Sequence, residues 1–180
     1  MTNIEPKTSY KTLADMIDSI WLGELNTIIA NGCNYSAFAL IGCGIEFLGK
    51  CLQIPNGRAS WFNGEPGKDF KKACTLPSLT KYDADDLYDK LRCGMVHSGF
   101  PKQGVVLSDT ANQNLNASIK ILDINELYSD FIDACNEVKK RLNGNALNPS
   151  DNLNSYSLAT DNALIILEYE SYTTSGCCFP

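Results

Sequence analysis

A chain of 180 residues with 44% hydrophobic side chains can fold as one domain with a substantial core and still carry an appendage. Charged residues make up 20%, and a formal net charge of −6 excludes tight, sequence-independent coating of nucleic acid, which relies on Lys and Arg at phosphates. A small local basic site is compatible with that charge.

The first predicted element is a helix over residues 10–30. Leu13, Ile17, Ile20, Trp21, Leu25 and Ile28 recur at three- and four-residue spacings, and Asn31-Gly32 supplies the stop. A second helix occupies residues 34–52. From Ala37 to Leu48 every residue is apolar or glycine except Glu46. This segment falls short of the ~20 apolar residues that span a bilayer and contains a carboxylate and three glycines, so it reads as the central helix of a soluble bundle rather than a membrane anchor. Glu46 then has two readings: a buried acid that needs a cation, or a rim residue that reaches water.

Residues 54–79 read as loop, punctuated by Pro55-Asn56-Gly57, Asn63-Gly64, Pro66-Gly67 and Pro77. Arg58, Lys68, Lys71 and Lys72 interleave there with Trp61, Phe62 and Phe70. Such a stretch either stacks bases and holds phosphates, with Arg58, Lys71 and Lys72 as the substrate contacts, or pins the loop to the core with its lysines solvated.

A third helix is predicted over residues 83–96. Asp83 and Asp86 suit its start, and Leu87, Leu91 and Met95 form its inward stripe. It carries Arg92 and, just beyond, His97, the single histidine of the chain. Imidazole carries protons near neutral pH and guanidinium clamps phosphate oxygens. Five residues apart is about 140° around an ideal helix, so convergence needs a distorted turn, for which Gly94 and Gly99 give room, or a second subunit. Arg92 has two plainer partners as well: Asp89 on the surface, or Glu46 inside. His97 has the plainer role of a helix-end cap.

Two short β-like runs, 104–107 and 118–122, read as a small hairpin. Asp123-Ile124-Asn125-Glu126 reads as a capping box opening a last helix with Leu127, Phe131, Ala134, Val138 and Leu142 on one face. Beyond Gly144 the Asn- and Ser-rich composition indicates a linker, then an extended segment at Ala163–Tyr169. The domain plan is thus a helical bundle over residues 8–145 and a linker with an extended C-terminal segment over 146–180. The eight cysteines lie mostly in apolar helical stretches with neither Cys-x-x-Cys pairs nor a signal peptide. Reduced thiols, no metal site and a cytoplasmic location are expected.

The segment Leu87-Tyr88-Asp89-Lys90-Leu91-Arg92-Cys93-Gly94-Met95-Val96-His97, preceded by Glu46 in Gly44-Ile45-Glu46-Phe47-Leu48, resembles the HEPN superfamily, whose hallmark is Arg-x4–6-His. The likeness extends over roughly residues 10–142, but its specific part is that one motif. It implies a mainly α, up-and-down bundle acting as a homodimer without membrane or cofactor. It also implies metal-independent cleavage of RNA in toxin–antitoxin or phage-defence systems, under an antitoxin or regulatory protein. Arg92, His97 and Glu46 would be the catalytic set. The alternative within the same likeness is a non-catalytic dimerisation or binding domain. One position departs from the pattern: active members commonly carry Asn, Asp or His after the arginine, where this chain has Cys93.

Overall fold

The computed structural model describes residues 13–53, 65–110 and 120–142. Arg58, Trp61, Phe62 and the segment 146–180 lie outside the described residues. Helix α1 runs from Leu13 to Ala30, with α-helical ends and a π-helical middle at Ile17–Glu24. It stops where the pattern asks: Gly32 takes φ 73°, and the Cys33 N–H donates back to Ile28 O at 3.0 Å, a left-handed cap that only glycine adopts without strain.

Helix α2, Asn34–Gln53, is the central element. Ala37, Phe38, Ile41, Ile45, Leu48 and Cys51 are buried. Three of its glycines admit three different neighbours. A Cβ at Gly42 would touch Arg92, one at Gly44 would strike Phe131 and Trp21, and one at Gly49 would sit 1.6 Å from the Asp69 carbonyl oxygen. By length and composition Asn34–Leu52 would also pass as a membrane span. More than half of that window is buried inside the bundle, which is how a helix apolar on all sides is satisfied without lipid.

The loop expected over 54–79 is corrected by helix α3, Pro66–Ala73. Pro66 suggests a breaker in the sequence, but at the first helical position its missing N–H is unneeded and its fixed φ is favourable. Asp69, Phe70 and Ala73 face inward, and α3 lies against α2 at Gly49.

Helix α4 spans Ala84–Ser98, with α-helical ends and a π-helical middle at Leu87–Cys93. Its start is capped as expected, the Asp86 N–H donating to Asp83 Oδ1 at 3.0 Å. It ends at Gly99, which has φ 74°.

The strands β1, Val105–Ser108, and β2, Lys120–Asp123, pair in parallel, with Val105 opposite Lys120 and Ser108 opposite Asp123. The expected hairpin is therefore wrong in direction. β2 must deliver Asp123 to the start of α5 while Val105 and Leu122 both bury into the core, and a connection as long as 109–119 permits a parallel return where a tight turn would not.

Helix α5, Ile124–Lys140, opens on Asp123, whose side chain accepts from Asn125 N and Glu126 N at 2.9 and 3.0 Å. Glu126 does not complete the capping box; it pairs with Lys81 at 2.6 Å. Ile124, Leu127, Phe131, Ala134, Cys135 and Val138 form its buried stripe, and burial of each large apolar side chain contributes about 1.5–3 kcal/mol. The described residues thus form five helices and one two-stranded sheet, a mainly α bundle.

Candidate functional site

The site begins where α4 crosses α2. Gly42 has no side chain, and Arg92 Cα and Cβ lie 3.4 Å from where its Cβ would be. That closeness lets the guanidinium reach along α2 to Glu46, with Arg92 Nη2 2.7 Å from Glu46 Oε2. Both side chains are largely buried, 15% and 10% exposed. Glu46 is therefore the buried acid of the two readings, and its cation is Arg92. Lys50, one helical turn on, stands 3.7 Å from the other carboxylate oxygen. The Arg92–Glu46 approach is a charge contact: Glu46 Oε2 and Arg92 Nε both lack a well-directed hydrogen bond among the described residues.

Tyr88 closes the far side of the arginine. Its ring centroid is 6.0 Å from Arg92 Cζ and 5.4 Å from that of Phe70 on α3, so one ring joins α3 to the guanidinium. Burial raises the Tyr88 hydroxyl's pKa, and its hydrogen bond with Cys93 pushes the same way. Cys43 lies near the pair; burial raises its thiol pKa, opposed by the Arg92 charge. Asp69 is buried on the same side, its carboxyl pKa raised by desolvation, with Lys50 pulling it back and Glu46 adding to the rise.

His97 sits apart from this cluster. It is exposed, on the last turn of α4, and makes no hydrogen bond or ion pair among the described residues. The capping role is not what it does. The helix is widened over Leu87–Cys93, a stretch that takes in Arg92 and Cys93, and is regular α-helix over Gly94–Ser98, with Gly94 at φ −58° and ψ −55°, before it ends at Gly99. That widening does not bring the two side chains together: Arg92 pairs with Glu46 inside the bundle while His97 is exposed.

Gly94 serves another purpose. A Cβ there would lie 2.6 Å from Phe100 O and 2.8 Å from Lys102 N. The chain after Gly99 folds back onto α4, and the Lys102 N–H donates to Lys90 O at 2.9 Å. Phe100 is held beside His97 as a result, 69% exposed, its ring 6.4 Å from that of Tyr35, which is 49% exposed. The Tyr35 hydroxyl donates to the Gly99 carbonyl.

Of the basic residues expected to contact substrate, Lys71 pairs with Asp85 on α4, Lys72 is exposed, and Arg58 is outside the described residues. The surface pair of Arg92 with Asp89 does not form; Asp89 holds Lys102 at 2.5 Å. Sequence reasoning misses Tyr88 and Lys50, although each lies four residues from a named member of the site, Arg92 or Glu46, and therefore one turn away on the same helix face. Tyr35 and Phe100 carry no such signal, since only the fold-back brings them to His97. Among the described residues no group of three or more His, Cys, Asp or Glu side chains gathers as a metal ion would require. No protein-family model, curated protein or solved structure matches the chain.

Proposed function

We propose that this protein is a metal-independent endoribonuclease of the HEPN type that acts as a homodimer. The observation that supports it is the Arg92–Glu46 contact at 2.7 Å, which fixes the motif arginine on the central helix while His97 stands exposed at the end of the same helix as that arginine. One protomer has one histidine, and it faces away from its own arginine. Two copies with their α4 ends together supply a base and an acid. One His97 takes the ribose 2′-hydroxyl proton as that oxygen attacks phosphorus. The other gives a proton to the departing 5′-oxygen, and Arg92 balances the charge growing on the phosphate. The products are a 2′,3′-cyclic phosphate and a 5′-hydroxyl. In this reading the protein works in the cytoplasm, within a toxin–antitoxin or phage-defence system, under an antitoxin or regulatory protein.

A second reading has its own observation. Arg92 is already neutralised by Glu46 and largely buried, the arrangement of a bundle lock. That suits a HEPN-like dimerisation or binding domain without chemistry. Incubation of purified protein with RNA, with and without EDTA and beside a His97→Ala variant, separates the two. The nuclease reading expects EDTA-resistant cleavage that falls about 10²–10⁴-fold in the variant. An intact RNA in every lane supports the binding domain, and equal cleavage by both proteins traces activity to a contaminant.

A further inference from the structure

We infer that Phe100 and Tyr35 form a base-stacking platform beside His97, so that the ligand is single-stranded RNA with an unpaired nucleotide next to the phosphate at the motif. The inference rests on the ribonuclease reading for its chemistry, but the platform itself is built from geometry. The large hydrophobics exposed among the described residues are three, Tyr35, Val96 and Phe100. Two of them meet, the Tyr35 and Phe100 rings lying edge to face, and Phe100 follows His97 by three residues.

Both rings are held before any ligand arrives. The Tyr35 hydroxyl is engaged by the Gly99 carbonyl, and Phe100 is carried on a fold-back anchored by Lys102 N–H to Lys90 O at 2.9 Å. An aromatic face fixed in advance costs a stacking base little ordering entropy. The charge pattern fits the same ligand. Residues 34–45 and 94–108 contain no carboxylate, in a chain of net charge −6. Each acid of α4 is met by a cation, Asp85 by Lys71, Asp86 by Lys90 and Lys120, and Asp89, midway along the helix, by Lys102 of the fold-back. The His97 end is therefore a place where a phosphodiester approaches without repulsion from its own helix. Sequence-specific and general RNA binders alike use exposed aromatics for unpaired bases, because every base has a π-face.

The test uses the full chain and a single-stranded oligoribonucleotide with 2′-O-methyl riboses, which cannot be cleaved, carrying 2-aminopurine as a stacking reporter. Wild type is expected to bind it with quenched fluorescence and to bind the same strand far less well in a duplex. Phe100→Ala should weaken binding about tenfold, Phe100→Leu nearly as much, and Phe100→Trp little or not at all. Phe100 is exposed, so circular dichroism and the melting curve should stay as in wild type. Equal affinity of Phe100→Ala and wild type, full recovery by leucine, or equal binding of the duplex each overturns the platform. So does a fall from dimer to monomer in Phe100→Ala by sedimentation, which makes the rings an interface between copies. If wild type cleaves no RNA yet binds the probe through Phe100, the platform stands and the nuclease reading fails.

Discussion

Arg92 and Glu46 meet at 2.7 Å across the crossing of α4 and α2, with Tyr88 on one side of the guanidinium and Lys50 on the far side of the carboxylate. Two charges buried this deeply are stable only as a pair, because each has given up water. The contact exists because Gly42 lets the two helix backbones come close enough for a single arginine to reach one helical turn along its neighbour.

That relationship predicts an asymmetric mutational response. Glu46→Gln strands a buried guanidinium and should lower unfolding free energy by about 3 kcal/mol, read from urea denaturation. Replacing both partners, Glu46→Leu with Arg92→Leu, should recover most of that loss. A single substitution costing under ~0.5 kcal/mol would show that Lys50 and solvent, rather than the pair, satisfy these groups.

Gly94→Ala sets two effects against each other. Alanine in a helix interior is favoured over glycine by ~1 kcal/mol. Here its methyl group meets Phe100 O and Lys102 N, backbone atoms that move only if the fold-back moves. Overpacking of this kind costs about 1–3 kcal/mol, so the variant is expected to melt lower than wild type and to lose hydrogen-exchange protection at the Lys102 amide. A higher melting temperature with Lys102 still protected would contradict the fold-back geometry.

Asp69 predicts a pH dependence with a definite sign. Desolvation raises its carboxyl pKa in the folded chain, so the folded state binds this proton more tightly than the unfolded one. The side chain therefore detracts from stability above its folded pKa, and the penalty fades as pH falls toward the usual aspartate value of about 3.9. Asp69→Asn should gain stability over wild type at neutral pH, and the two unfolding curves should draw together as the solution is acidified. A difference independent of pH would assign the effect to packing.

The cysteines predict an order of labelling. Burial pushes the Cys74 and Cys135 thiols up to about 12 and Cys51 higher still, whereas Cys33 is exposed. Brief iodoacetamide treatment of native protein, read by peptide mass spectrometry, should modify Cys33 and spare Cys51, Cys74 and Cys135 until denaturant is added. Early labelling of Cys51, on the buried face of α2, would reveal local opening there.

Much of the fold is legible in the chain because burial is written as periodicity. The stripes of α1, α4 and α5 each mark the face that packs, the all-round apolarity of α2 marks the central helix, and Asp83, Asp123 and Gly32 mark ends through local hydrogen bonding and backbone freedom. Two elements differ from expectation for physical reasons. Pro66 is of a residue type that both breaks and starts helices, and only the inward-facing Asp69, Phe70 and Ala73 beyond it decide for a start. The β-like runs that become Val105–Ser108 and Lys120–Asp123 declare strands but carry no direction, which is set by where α4 ends and α5 must begin.

Spacing and composition alone establish a helical bundle around one apolar helix, a lone histidine five residues after an arginine, and an acid within the apolar helix. Those properties are local, and they survive any arrangement of the helices. Their meaning to one another comes from packing. Glu46 meets Arg92 because Gly42 lets two helices touch, and His97 stands exposed on the last turn of the same helix whose Arg92 is turned into the bundle. Tyr35 and Phe100, 65 residues apart in the chain, become neighbours because the chain beyond Gly99 folds back over a glycine. Periodicity reports which side of an element is inward; which element it meets there depends on the packing of the whole chain.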